Sequence, residues 1–127
     1  MAEVFRKVPS VKEVREQGGS GERGADLIVT YESGLPIPEL QGQHTCVVQV
    51  KSYRDEHWDT HAVEQIREAL RHWDADAGLI VSTASSRTTA LDDALDQLRE
   101  ETEKPVGLLI GEDLAAFVLR FGGDLLI

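Results

Sequence analysis

Two polar side chains, Gln49 and Lys51, interrupt the apolar run CVVQVKSY over residues 46–53. Side chains two residues apart in a strand share a face, so Gln49 and Lys51 point one way and the flanking valines the other. Asp26 opens the preceding apolar segment, directly after a glycine-rich stretch. If the two segments pair as a hairpin, the start of the first lies opposite the end of the second. Asp26 is then close to both polar residues.

An acid, an amide oxygen and an ammonium group at one end of a sheet suit the hydrolysis of a phosphodiester bond. Asp26 would offer a hard carboxylate oxygen to magnesium, and Gln49 would add its side-chain carbonyl oxygen. The backbone carbonyl of Val50 could supply a further ligand. Lys51 would orient or deprotonate the attacking water, or stabilise the negative charge that grows on the phosphate. The sequence therefore indicates a metal site beside a catalytic lysine.

Each of these residues also has a purely structural interpretation. Asp26 could cap a turn after the glycines, and Lys51 could be a solvated lysine that protects a strand edge. Gln49 is harder to explain in this way, because an amide in a buried strand needs partners. His57 and His61 stand four residues apart, as zinc ligands on a helix do, but a solvated helix face fits them better because no third ligand is near.

The elements that must position these residues alternate along the chain. Apolar runs predict strands, and amphipathic patterns predict helices. The predicted strands are 25–33, 44–53, 77–84 and 106–110, and the predicted helices are 62–73, 88–103 and 111–123. Segment 34–43, with two prolines and two glycines, predicts a long hairpin connection. The first residues leave two structures open, a short helix or a turn followed by a strand over Val11 to Glu16, because Pro9 breaks a continuous helix.

This order of elements predicts an α/β fold with a mixed sheet. The hairpin lies at one side of the sheet, and the strands that alternate with helices lie parallel at the other. Helices must cover both faces. The 127 residues fit one domain, expected over residues 1–127.

Composition limits the function. No segment suits a signal peptide or a membrane span of about 20 apolar residues. Cys46 is the only cysteine and stands in an apolar strand, so we expect a small core residue in a cytoplasmic protein. The net charge of −10 repels nucleic acid. A role on DNA would need a local metal site, or basic surface from a partner or a further domain.

The segments GERGADLIV, CVVQVKSY, AVEQIREAL, AGLIVSTA and PVGLLIGEDLAAFVL, in that order, resemble the PD-(D/E)XK nuclease superfamily, and within it the Mrr-type restriction endonuclease group. The resemblance covers roughly residues 11 to 122. It includes an aspartate after a glycine-rich turn and a strand that ends in Gln-x-Lys instead of Glu-x-Lys. It implies a restriction-endonuclease-like three-layer α/β/α fold and a DNA endonuclease that uses Mg²⁺ or Mn²⁺.

The resemblance also implies roles for individual residues. Asp26 and Gln49 would hold the metal, and Lys51 would be catalytic. Gln65, on the first amphipathic helix, matches a polar position that often faces such sites. DNA would be the substrate, with a homodimer, an additional DNA-binding domain or a partner as the further expected component.

The sequence departs from the family at its beginning. The family usually starts with a longer helix that can carry an additional glutamate, whereas here Pro9 interrupts a short segment. Glu13, Glu16 and Glu22 are the candidates to supply that acid. The alternative function is therefore a catalytically inactive nuclease-like module for nucleic-acid or protein interaction. A small-molecule α/β enzyme is a third class, but no set of residues supports it.

Overall fold

The computed structural model describes residues 1–17, 25–51, 61–84 and 88–123. A short 3-10 turn, Pro38–Leu40, joins the second strand to the third. In chain order the elements are α1 (Ala2–Arg6), β1 (Val11–Glu16), β2 (Leu27–Gly34), β3 (Gln41–Lys51), α2 (His61–His72), β4 (Ala77–Ser82), α3 (Thr89–Thr102), β5 (Val106–Leu109) and α4 (Gly111–Gly122). Among these described helices, none is long and apolar enough to cross a membrane.

The strands of the described chain form one five-stranded sheet in the order β1-β2-β3-β4-β5. The pairs β1–β2 and β2–β3 are antiparallel, and the pairs β3–β4 and β4–β5 are parallel. Parallel neighbours need a crossover connection, which α2 and α3 provide. The predicted mixed sheet, with a hairpin at one side and parallel strands at the other, is confirmed.

Helices cover both faces of this sheet, because successive strand residues point to opposite sides. We call the two sides the α2/α3 face and the α1/α4 face. The α2/α3 face buries, among others, Ile28, Val47 and Ile80 against Ile66, Leu70, Leu91, Leu95 and Leu98. The α1/α4 face packs Val29, Val48 and Val81 with Phe5, Leu114 and Phe117. The predicted three-layer α/β/α fold is confirmed.

The N-terminal segment contains both of the structures that the sequence left open. The helix α1 comes first, and β1 follows Pro9. Only Val14 is buried in β1, which pairs with β2 alone. An edge strand with a single buried side chain has almost no hydrophobic periodicity, so its pattern was ambiguous.

The hairpin connection is shorter than predicted. Residues 41–43 belong to β3, since Gln41 pairs with Gly34. Gly34 has φ 98°, and a Cβ there would lie 2.3 Å from the carbonyl oxygen of Leu40. Only glycine adopts this close, positive-φ conformation without strain. The glycine thus ends β2 and turns the chain toward the 3-10 turn.

Candidate active site

Asp26 lies just before β2, beside the end of β3. The last pair of the β2–β3 ladder is Leu27 with Val48, and Asp26 directly precedes Leu27. The backbone N–H of Asp26 donates to the carbonyl of Val48 at 2.8 Å. Its side-chain Oδ2 accepts a hydrogen bond from the N–H of Val50, also at 2.8 Å. The hairpin therefore brings this carboxylate to the end of β3, next to the Gln-x-Lys motif.

Gln49 lies in the sheet's interior and is only 6% exposed. Val47, two residues earlier on the same α2/α3 face, is fully buried in the core. The Oε1 atom of Gln49 is buried and has no hydrogen-bond partner among the described residues. Burying an unpaired amide oxygen costs about 1–3 kcal/mol. A bound cation, or a ligand that donates a hydrogen bond to this oxygen, would offset that cost.

Lys51 is the next residue on the α2/α3 face and ends β3. It is half-buried and pairs with Ser82 of the parallel neighbour β4. Its backbone carbonyl accepts from the N–H of Thr83 at 3.3 Å. The motif therefore stands at the carboxyl end of two parallel strands, the edge where open α/β sheets bind ligands. Val50 points to the opposite face and is 37% exposed.

The helix α2, which carries Gln65, packs on the α2/α3 face of the sheet, the face of Gln49. It approaches the sheet at Gly78, where a Cβ would lie 2.9 Å from Cγ2 of Ile66. Gly78 pairs with Val47, two residues before Gln49. Gln65 immediately precedes Ile66, and its Oε1 atom is also buried and unpartnered within the described residues. Within the part of the chain that the structure describes, the side-chain oxygens of Gln49 and Gln65 are thus both buried without a hydrogen-bond partner.

The candidate glutamates do not meet Asp26 where the structure describes them. Glu16 pairs with Leu27, which puts it on the α1/α4 face, and its carboxylate lies 3.6 Å from a guanidinium nitrogen of Arg6. Glu16 therefore belongs to the opposite side of the sheet from Gln49.

Glu13 and Glu22 are the other two candidates for the additional acid. Glu13 pairs with Thr30, four residues along β2 from Asp26, a separation of about 13 Å at the usual rise of a strand. Glu22 lies outside the described residues.

One residue beside Asp26 was missed by the sequence reasoning. The backbone N–H of Gln17 donates to the carbonyl of Asp26 at 2.8 Å. The register that pairs Arg15 with Ile28 continues to this contact, so Gln17 lies opposite Asp26. The period of two from Arg15 would have placed Gln17 on this face, once β1 was recognised as a strand.

The donors around Asp26 fit a hard divalent ion. Among the residues the structure describes, no three His, Cys, Asp or Glu side chains are grouped so that they could hold a metal. Asp26 instead contacts the end of β3, the strand that carries Gln49 with its buried Oε1 atom unpartnered among the described residues. Carboxylate and amide oxygens are ligands that Mg²⁺ accepts. His61 is exposed at the start of α2, and His57 lies outside the described residues.

The fold and the polar positions at the end of its hairpin define a restriction-endonuclease-like α/β/α domain. The family model Mrr_cat, described as "Restriction endonuclease", matches residues 1–118. The chain belongs to this family. No curated protein matches the chain.

Solved structures share the fold. MspJI restriction endonuclease, solved in complex with a 27-mer oligonucleotide, is similar with a TM-score of 0.64 and 22% identity, covering 96% of this chain and 26% of its own. The DNA modification-dependent restriction endonuclease AspBHI is similar with a TM-score of 0.58 and 17% identity, over 86% of this chain and 25% of AspBHI. Restriction endonuclease FokI is similar with a TM-score of 0.64 and 15% identity, over 95% of this chain and 24% of FokI. The chain thus spans about a quarter of each of these proteins.

Proposed function

We propose that this chain is a metal-dependent DNA endonuclease that hydrolyses phosphodiester bonds with Mg²⁺ or Mn²⁺. One observation carries the proposal. The carboxylate of Asp26, fixed by the N–H of Val50, lies at the end of β3, the strand that carries Gln49, whose Oε1 atom is buried and has no hydrogen-bond partner among the described residues. A carboxylate next to a desolvated oxygen donor is an arrangement that a divalent cation stabilises. Membership of the restriction endonuclease family supports the same chemistry.

In this proposal the residues of the hairpin have separate roles. Asp26, Gln49 and the backbone carbonyl of Val50 would hold the ion. A bound ion of this kind polarises the phosphate and activates water. Lys51 would orient the attacking water and stabilise the negative charge that develops on the phosphate. Gln65 would be a supporting polar contact from α2.

The proposal also assigns the source of DNA affinity. We propose that residues 1–127 act as one nuclease domain in the cytoplasm. With a net charge of −10, this domain attracts DNA poorly by itself. The remaining affinity would come from a second copy of the chain, an additional DNA-binding domain or a partner. The greater length of the solved relatives is consistent with additional domains.

The test is cleavage of a supercoiled plasmid in Mg²⁺ or Mn²⁺. The parent protein is compared with Asp26→Asn and Lys51→Ala. Two exposed residues give matched controls: Asp96→Asn on α3 and Lys12→Ala on β1. We expect cleavage by the parent and both controls, and loss of cleavage in both site variants. Unchanged cleavage in Asp26→Asn and Lys51→Ala would refute the site.

The alternative is a nuclease-like module without catalysis. The described residues contain one carboxylate at this site and no group of three acids, and this low charge favours the alternative. DNA binding that needs no metal and produces no cut, in the parent as in Asp26→Asn, would support the module instead of the enzyme.

A further inference from the structure

A second group of reactive side chains lies at the hairpin end of the sheet. The Oγ atom of Ser33 and the Nε2 atom of His44 are 2.5 Å apart. The other ring nitrogen, Nδ1, lies 4.0 Å from Oδ2 of Asp76. A hydroxyl on one imidazole nitrogen and a carboxylate on the other is the order of a nucleophile, its general base and the acid that orients the base. Ser33 stands seven residues from Asp26 along the chain, about 23 Å along an extended strand.

The strand pairing creates the contact between Ser33 and His44. Tyr31 pairs with His44, and Ser33 pairs with Gly42, so the hydroxyl and the imidazole are diagonal neighbours on one face. A Cβ at Gly42 would lie 3.2 Å from the Nε2 atom of His44. The glycine therefore leaves room for the ring beside Ser33.

Asp76 is held at the start of β4 by the neighbouring strand. Its Oδ2 accepts from the N–H of Thr45 at 2.8 Å, and its own N–H donates to the Thr45 carbonyl at 2.9 Å. At 4.0 Å from His44, the carboxylate acts on the ring through its charge and not through a hydrogen bond. Contacts of this kind are often long before a substrate binds and shorten in the complex.

An apolar cavity opens on the same sheet face. Its volume is about 170 Å³, and Val29, Tyr31, Cys46 and Phe117 are among the residues that line it. The rings of Tyr31 and His44 have centroids 5.3 Å apart, so Tyr31 lies between the cavity and the imidazole. A small apolar group held in this cavity would contact Tyr31, the ring neighbour of His44.

We propose that Ser33, His44 and Asp76 form a second site, which hydrolyses activated esters of small apolar acids. Oγ of Ser33 bonds to the carbonyl carbon while its proton passes to Nε2 of His44. The bond to the alcohol oxygen then breaks, and that proton leaves with the alcohol. Water, deprotonated by the same nitrogen, attacks the acyl-serine, and the proton returns to Oγ as the acid departs. Asp76 stabilises the positive ring in both halves.

An alkyl fluorophosphonate tests the nucleophile directly. Oγ displaces fluoride from phosphorus, and peptide mass spectrometry locates the adduct. We expect an adduct on Ser33 in the parent and in Asp26→Asn, and none on that peptide in Ser33→Ala. Ser10 is an exposed serine that lines the cavity, whereas the hydroxyl that meets His44 belongs to Ser33, so Ser10→Ala is the matched control and should react like the parent. Ser33→Ala should leave DNA cleavage unchanged.

Replacement of His44 distinguishes a role as general base from a role in the fold. His44→Ala should slow the labelling of Ser33 by about 100-fold, as expected for loss of a general base, and free imidazole should restore part of the rate. A thermal melt shows whether the variant is folded, and His44→Gln serves if His44→Ala is not. The absence of an adduct on Ser33, or labelling of folded histidine variants at the parent's rate, would overturn the proposal and leave a polar pair that only joins two strands.

Discussion

The carboxylate of Asp26 accepts a hydrogen bond from the backbone N–H of Val50 at 2.8 Å, across the pair of strands that forms the hairpin. The contact uses Oδ2, so Oδ1 can still bind a ligand. It also adds a hydrogen bond at the open end of the β2–β3 pair, where the regular ladder stops. The same side chain thus serves the fold and the candidate site, and a conservative substitution can separate the two.

Asp26→Asn is that substitution. Asparagine keeps an oxygen that can accept from Val50, but it lacks the negative charge that would hold a divalent ion. We expect DNA cleavage to fall by at least about 100-fold, and the free energy of unfolding to change by less than about 1 kcal/mol. Plasmid cleavage and urea denaturation of one preparation measure both quantities. A variant that loses activity only because it unfolds would show that Asp26 has a structural role alone.

Gln49→Met should abolish cleavage without lowering the stability of the fold. Methionine has a similar size, and it removes a buried oxygen that lacks a partner among the described residues. We expect the unfolding free energy to stay equal or to rise by about 1 kcal/mol, while cleavage is lost. Gln43→Met, at an exposed position of the same strand, is the control and should retain cleavage. A clear destabilisation by Gln49→Met would mean that the amide has partners which the structure does not show.

Much of the fold was predictable because local patterns were strong. The apolar strands and amphipathic helices after Asp26 follow from hydrophobic periodicity, which burial enforces. The common face of Gln49 and Lys51 follows from the period of two alone. The approach of Asp26 needed only one further assumption, that two consecutive strands pair as a hairpin, which is the usual outcome for strands that follow each other in sequence.

The rest depended on contacts between distant parts of the chain. The face of Glu16 is set by its register with Leu27, and the pairing of β1 with β2 shifts between Val11 and Glu13. No count along the sequence could supply that irregularity. The contact of Ser33 with His44 depends on the register between β2 and β3. The sequence does not supply this register, because it predicts that residues 41–43 belong to the connection.

Cys46 should make stability depend on alkaline pH. Burial raises the pKa of its thiol from 9.0 to about 12, so the folded chain keeps a proton that the unfolded chain releases. The associated stability is fully present below pH 9 and is lost as pH rises toward 12. Urea denaturation at several pH values should therefore show a steeper alkaline loss for the parent than for Cys46→Ala. Equal slopes would contradict burial as the cause of the raised pKa.

Gly78 should control how closely α2 approaches the sheet, and with it the position of Gln65. A Cβ at Gly78 would lie 2.9 Å from Cγ2 of Ile66, so Gly78→Ala must displace the helix or the strand. We expect a loss of about 1–3 kcal/mol in the free energy of unfolding, and a fall in cleavage larger than the unfolded fraction explains.

Gly123→Ala is the matched control for Gly78→Ala. Gly123 has φ −59°, and a Cβ there would have no atom within 4 Å. Alanine fits this helical conformation and restricts the unfolded chain, so stability should stay equal or rise slightly. Chemical denaturation and plasmid cleavage of both variants give the comparison. If Gly78→Ala unfolds at the same denaturant midpoint as Gly123→Ala, the contact with Ile66 does not determine how closely α2 packs on the sheet. If Gly78→Ala is less stable but its folded fraction cleaves at the parent's rate, the position of α2 matters for the core and not for the site.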